Sequence, residues 1–333
     1  MHQRHDTERR FTLRMQDDSQ LREQRESREA PHSCMNGSAV AVAGRFVKVA
    51  RIRDEPFIDG DIARHPEIFI NKLTRCRKRL DIFEFAQSFT EPTPKFDFPW
   101  EWDNAAAAST DSFDDWWDNL PQETRKNVRR ASKRGLSVKV ARLDDEFAKG
   151  IKAIYDESPV RQGRHFWHFD KTLEAVKREN STYLERSEFI GAYYGNELVG
   201  FMKFVYVDHA AKIMQILSKS VHYDKRPMNA LIAKAVEVCQ QKGISYLVYS
   251  KFTFGNKKQG PLMEFKRRNG FKQMNFPRYY VPLSVKGKLA IRMNLHRDLL
   301  SVLPSNAINA LLDFRSMFVR FWPRLAKIFF GSR

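Results

Sequence analysis

Cysteine is scarce: Cys34, Cys76 and Cys239 are all that the 333 residues contain, and no two form a CxxC pair. An odd count without close spacing argues against a disulfide framework and against a thiolate zinc site. Cys76 and Cys239 instead fall on apolar helix faces, as small core residues. Long apolar runs are missing too. Nothing approaches the roughly 18 apolar residues of a membrane span, and the opening MHQRHDTERRF lacks the apolar centre of a secretory signal. The expected compartment is therefore the cytoplasm. Neither GxSxG nor HExxH occurs, which removes the sequence case for a serine-hydrolase elbow or a zinc protease.

What is present is a hydrophobic fraction of 42%, enough for a real core in one large or two modest domains. The formal charge is +18, from 58 Lys and Arg against 40 Asp and Glu. Such a field suits phosphate-rich partners, among them nucleotides, a coenzyme, tRNA or an anionic membrane face, and fits a plain solvated basic surface equally well.

Residues 1–42 mix Arg, Glu, Asp, Gln and Ser with hardly any apolar periodicity, the composition of a disordered extension. Met35 is a candidate translation start. Residues 43–119 read as an N-terminal α/β unit: a strand over 45–53, a helix after Pro66, a strand over 81–89, an irregular EPTPKFDFPW that links or covers, and a helix capped by Ser112. In 120–285 a basic helix, ETRKNVRRASKR, closed by Gly135, leads into strands and helices, with a Gly195-Asn196 hairpin between two strands. Residues 286–333 end the chain as an amphipathic helical segment.

The most informative stretch is 212–283. An apolar strand (Ile213, Met214, Ile216, Leu217) leads through a basic polar loop into a helix opened by Pro227, stopped at Lys242-Gly243 and followed by a second apolar strand. The first amides of a helix lack partners, so a strand, turn and helix start suit a phosphate or carbonyl group.

The order from 136 to 283, strand, two helices, three strands, helix, strand, helix, strand, resembles the GNAT acyltransferase fold, an α/β mixed sheet flanked by helices. Two short texts, LPQETRKNVRRASKRGLSV at 120–138 and FKRRNGF at 265–271 followed by PRYYVPL, are similar to signatures of the Fem-type branch. That branch includes the aminoacyltransferases that build peptidoglycan bridges and acyltransferases of envelope and polysaccharide gene clusters. The resemblance implies that 43–119 is a degenerate second GNAT copy, that acyl-CoA or aminoacyl-tRNA is the donor, and that an amine on a sugar or envelope precursor is the acceptor.

Several residues are singled out on this basis. GNAT enzymes that bind acetyl-CoA carry glycines before the helix, so that backbone amides approach pyrophosphate; here the text is HYDKRPMNAL, with Arg226 and Met228 in those places. Donor contacts are expected from Gln215, Ser218, Lys225, Arg226, Asn229 and Ala230, with the cations of Lys225 and Arg226 replacing bare amides. The resemblance points to a tyrosine at the end of the fifth strand as general acid, which is Tyr249, with Tyr246 as the adjacent choice. Lys266 of the FKRR text is either a phosphate- or oxyanion-neutralising group or a surface lysine. Arg161, Gln162, Arg164 and His165, in the loop PVRQGRHFWHF, belong to the acceptor side, and Arg129 on the basic helix is a candidate phosphate clamp. His165 and His168 have the spacing of a weak metal pair but lack a third ligand, so no metal is expected.

On a helix over 306–333, Phe314, Phe318, Phe321, Leu325 and Phe329 share one side while Arg320, Arg324 and Lys327 lie on the other. That pattern suits peripheral contact with the inner membrane face, or docking on the domain. The expected function is N-acyl transfer from acyl-CoA, with aminoacyl-tRNA-dependent transfer and a non-catalytic RNA- or membrane-binding module as alternatives. Mass spectrometry of the natively expressed N-terminus tests the extension: a start at Met35 leaves no peptides from Arg4 to Arg28, and their recovery refutes that start.

Overall fold

The computed structural model describes residues 40–44, 46–58, 64–75, 79–161, 164–254 and 260–296. The expectations for 1–39, Cys34, Cys76, Gln162 and 306–333 lie outside the described residues. Among these described residues, ten strands form one mixed sheet in the order β1-β2-β3-β12-β4-β11-β10-β9-β8-β5. They are β1 Val40–Ala43, β2 Val49–Ile52, β3 Ile82–Ala86, β4 Trp100–Ser109, β5 Leu136–Ala141, β8 Ser187–Tyr194, β9 Glu197–Val207, β10 Ala210–Ser218, β11 Tyr246–Val248 and β12 Lys272–Pro282. A separate two-stranded ribbon pairs β6 Val160–Arg161 with β7 Arg164–His165. The helices are α1 Pro66–Thr74, α2 Phe113–Asp118, α3 Gln122–Lys133, α4 Asp145–Tyr155, α5 Leu173–Asn180, α6 Pro227–Gln241, α7 Pro261–Arg268 and α8 Val285–Arg292.

Local chemistry sets most boundaries. Side-chain oxygens of Ser112, Asp144, Thr172 and Ser284 accept N–H groups in the first turns of α2, α4, α5 and α8. Gly135 ends α3 and Gly243 ends α6, both in the left-handed region, at φ +81° and +66°. Around the sheet, α2, α3 and α6 bury Trp116, Ala131 and Leu231 with one face, and α4 buries Phe147 and Ile151 against the other. α1 covers Phe83 and Phe85 together with Phe96 and Phe98 of the proline-rich segment, which is thus a covering loop.

Two differences from expectation are informative. The single strand expected over 45–53 is a hairpin of β1 and β2, and β1 extends order into residues 40–42, which composition assigned to a disordered extension. Val40 is fully buried there, and sheet pairing stabilises four residues too short to carry a periodic signal. β4 was invisible because its run of four alanines shows no alternation and alanine disfavours strands. Alanine is what the site needs: Ala105 and Ala107 pack with Phe89 and Phe276 on one side, while Ala106 and Ala108 pack with the Trp116 cluster on the other.

β12, the last strand, sits between β3 and β4 and pairs antiparallel with both. A file of alternating charge crosses the sheet here. Arg51 Nε lies 2.8 Å from Glu84, Arg278 reaches Glu84 at 3.1 Å, Glu55 at 2.9 Å and Asp103 at 2.7 Å, and Lys251 reaches Asp103 at 2.7 Å. Burial works to raise the Asp103 and Glu84 carboxyls, but Arg278, with Lys251 on Asp103 and Arg51 on Glu84, outweighs it and holds both below their ordinary values. Removing the shared cation would leave buried carboxylates uncompensated. Arg278→Met is therefore expected to lower stability by about 3–5 kcal/mol in urea unfolding, and a loss no larger than that of an exposed Arg→Met control such as Arg129→Met would overturn this account.

Candidate active site

β10 and β11 run parallel in the middle of the sheet, yet among the described residues their pairing covers three positions: Ala210 with Tyr246, Ala211 with Leu247, Lys212 with Val248. Beyond Val248 the chain stays with β4, where Tyr249 N–H donates to the Ala106 carbonyl at 2.7 Å. β10 stays with β9 to Ser218, and its register slips between Ile213 and Gln215, a bulge at Met214. Bulges bend the strand that carries them. The strands part after Lys212, and a wedge opens at their carboxyl ends, the place where open α/β sheets take ligands. α6 begins at this end, after a 3-10 turn over Ser220–Lys225. Its first residue, Pro227, has no N–H, and no side chain caps the helix.

Tyr249 packs on the α6 side with Ile213, Ile216, Met228 and Phe271. Tyr246 lies on the opposite face, edge-on to Phe89 at 5.5 Å, so strand alternation separates the two candidate tyrosines. Lys266 is no surface lysine. It is wholly buried, donates from Nζ to the Lys251 carbonyl at 2.6 Å, and lies 4.6 Å from the centre of the Tyr249 ring. α7 turns Glu264, Arg267 and Arg268 outward as ion pairs and Lys266 inward, a distinction that the run KRR hides. Burial pulls the Lys266 pKa down to about 7 and pushes the Tyr249 phenol well above its ordinary value, so that the hydroxyl keeps its proton at neutral pH.

The turn from Ser218 to Arg226 differs from expectation in several ways. Arg226 is left-handed, φ +59° and ψ +44°. The chain thus keeps the backbone shape natural to glycine at that position while carrying a cationic side chain, at a cost of about 1 kcal/mol. Ser218 Oγ is buried and makes no hydrogen bond. Lys225 pairs with Asp224 and lies over the Tyr194 ring at 4.7 Å. Asn229 donates to Asn269 Oδ1 at 2.9 Å, and the Ala230 N–H returns to the Arg226 carbonyl at 3.4 Å, so both serve the helix start itself. Gln215 lies away from them: its Oε1 accepts from Tyr155 Oη at 2.8 Å, and its Nε2 meets His168 Nε2 at 3.0 Å, which uses both ends of the amide.

The acceptor-side residues do not form one group. Arg161 is buried and donates to the Ile154 carbonyl at 2.6 Å and the Ser218 carbonyl at 3.3 Å, so it braces the turn instead of reaching for ligand, although its Nε has no partner. Arg164 pairs with Arg161 through the ribbon backbone, and His165 is exposed. Arg129 is exposed on α3, on the opposite side of the sheet, over the Trp117 ring at 5.3 Å. The turn itself is held from both sides. Arg134 at the end of α3 donates to the Asp224 carbonyl at 2.6 Å, and Glu157 after α4 accepts from Ser220 N–H, Ser220 Oγ and Val221 N–H at 2.8, 2.8 and 3.1 Å. Nothing in the spacing marks Glu157 or His168 for these roles, because their partners lie about 60 and 47 residues away, at Ser220 and Gln215.

The fold has counterparts among solved structures. The C-terminal domain of a protein assigned as a lysylphosphatidylglycerol synthetase from Agrobacterium fabrum is similar with a TM-score of 0.51 at 12% identity, over 87% of this chain and 96% of that one. The fold is GNAT-like. FemX, at 9% identity over 77% of this chain and 86% of its own, and L-PGS from Bacillus licheniformis, at 14% over 78% and 84%, both score 0.49. No protein-family model matches the sequence, and a search of curated proteins found no match. Within the GNAT-like sheet, the parting of β10 and β11, the bulge, the left-handed Arg226 and Tyr249 all gather at one place, whereas the predicted acceptor residues do not.

Among the described residues no cluster of three metal-ligating side chains occurs, and the two histidines of the suggested pair separate, His165 exposed and His168 buried. Burial, with Lys171 and Arg161 nearby, lowers the His168 pKa from 6.5 to about 2. Throughout that interval the unfolded chain binds a proton that the folded one refuses, so this stabilisation is complete above the unfolded value and declines as pH falls, by at most about 1.4 kcal/mol per pH unit. Urea unfolding at pH 7.5 and 5.5 is expected to show a smaller acid loss for His168→Gln than for wild type; equal losses would refute the assignment.

Proposed function

We propose that this protein is an N-acyltransferase that moves an acyl group from acyl-CoA to a primary amine on a sugar or cell-envelope precursor. The supporting observation is the wedge between β10 and β11, with an uncapped helix start at its mouth and Tyr249 and Lys266 beside it. A donor with its phosphates toward the start of α6 and its acyl carbonyl in the wedge would meet the two side chains suited to its chemistry. The neutral amine attacks the carbonyl carbon and the C–N bond forms; as the C–S bond breaks, the departing thiolate takes the Tyr249 proton, the nitrogen of the adduct gives its extra proton to solvent, and Tyr249 regains one from solvent, so that the protons balance. Lys266, as ammonium, offsets the negative charge that develops there.

A second donor has an observation of its own. Arg226 and Met228 stand where glycines would bring bare amides to a pyrophosphate, and α3 adds a basic surface at the same turn through Arg134. Both features suit the longer phosphate track of an aminoacyl-tRNA. The non-catalytic alternative, a basic RNA-binding module, would give salt-sensitive RNA binding without turnover of either donor. No helix among the described residues is long and apolar enough to cross a membrane, and a division into an N-terminal extension that stops before the β1 strand at Val40, two α/β units and a C-terminal segment from 286 remains part of this reading.

The test is a transfer assay on Tyr249→Phe and Lys266→Met. Each is expected to lower kcat by about a hundredfold or more while the fold is retained. With Lys266 near a pKa of about 7, a requirement for its ammonium makes the rate fall as pH rises through neutrality, and that limb disappears in Lys266→Met. Full activity in both variants would end this site assignment.

A further inference from the structure

α8 presents two unlike faces. Gly287, Ala290 and Ile291 pack on β3 and β12 with Ile82 and Tyr280. The fit is close: a Cβ on Gly287 would stand 1.8 Å from the Asp81 carbonyl oxygen, so only glycine lets the helix approach the strand edge this nearly. Ser284 caps the helix and also donates to Asp81 Oδ1 at 2.8 Å, and Leu283 N–H donates to the Asp81 carbonyl at 2.9 Å. Helix orientation is therefore fixed at its first turn.

What this fixed orientation turns outward is apolar. Val285, Leu289 and Met293, one turn apart, are 88%, 57% and 58% exposed. Beside them Phe46, in the turn between β1 and β2, is 78% exposed, and its carbonyl accepts from Lys286 Nζ. Lys286, Lys288 and Arg292 are exposed on the same helix, so the apolar line is bordered by cations, with no acidic residue in α8. A protein partner with an apolar face of its own would need no such basic border, whereas headgroup phosphates do.

We infer that the outer face of α8, with Phe46, is a docking surface for an anionic lipid bilayer, seated so that Val285, Leu289, Met293 and Phe46 enter the headgroup region while Lys288 and Arg292 meet phosphates, Lys286 being held by the Phe46 carbonyl and Asp81. The surface stands independently of the reaction proposed above.

Flotation of the full-length protein with vesicles of about 30% phosphatidylglycerol in phosphatidylcholine, against phosphatidylcholine alone, tests this. Wild type is expected to float with the anionic vesicles and to be released by salt. Val285→Ser/Leu289→Ser/Met293→Ser and, separately, Lys288→Glu/Arg292→Glu should each reduce partitioning about tenfold or more with unchanged melting temperature, since all five side chains are exposed. Phe314→Ser/Phe318→Ser/Phe321→Ser in the full chain reports on the C-terminal stretch. Wild-type partitioning by both α8 variants overturns the inference, whether or not the Phe variant loses binding. So does an absence of wild-type flotation, or a result in which the α8 variants alter only self-association in sedimentation.

Discussion

Two parallel strands that stop pairing after three positions govern the functional part of this molecule. Had β10 and β11 stayed together, their backbone groups would have satisfied one another and the centre of the sheet would be closed. The bulge at Met214 and the loyalty of the chain after Val248 to β4 pull them apart instead. Buried backbone donors and acceptors left without a strand partner are costly, so such a parting persists only where other groups or a ligand supply the missing bonds. The helix start at the same end, uncapped and opened by proline, adds further donors to this opening.

The parting is held by long-range polar contacts. Glu157 and Arg134 grip the turn before α6 from either side of the sheet. On the other flank, the charge file through Arg51, Glu84, Arg278 and Asp103 ends on Lys251, whose carbonyl accepts from Lys266. The lysine beside Tyr249 is thereby tied, through one backbone oxygen, to an ionic network spanning the N-terminal half of the sheet. Networks of this kind are weak sources of net stability but strong sources of a unique arrangement when every member is paired.

Much of the element order was legible, and for identifiable reasons. The helical spacing of Leu231, Ile232, Ala235, Val236 and Cys239 gives α6, Gly195-Asn196 gives the β8–β9 hairpin, Ser112 gives the cap of α2, and Gly135 gives the end of α3. β4 was not legible, because alanines buried on both faces leave no alternation to read. Tyr249 could be placed at a strand end by pattern, yet that Lys266 faces it, buried, could not: the charges of FKRR look alike along the chain and differ only in which way α7 turns them. The loop PVRQGRHFWHF looked like a set of outward donors, while Arg161 and His168 in fact point inward to partners on α4 and β10.

By itself the sequence determined the things that depend on neighbours in the chain: helix and strand periods, caps, glycine stops, a basic net charge, and the loss of glycines at Arg226 and Met228. Tertiary structure alone decided which strands meet, where they part, and which polar side chains are buried. The reason is physical. Strand order, the left-handed backbone of Arg226, and the protonation of Lys266 and His168 are set by groups tens to hundreds of residues away, through burial and paired charge, and local spacing carries no record of either.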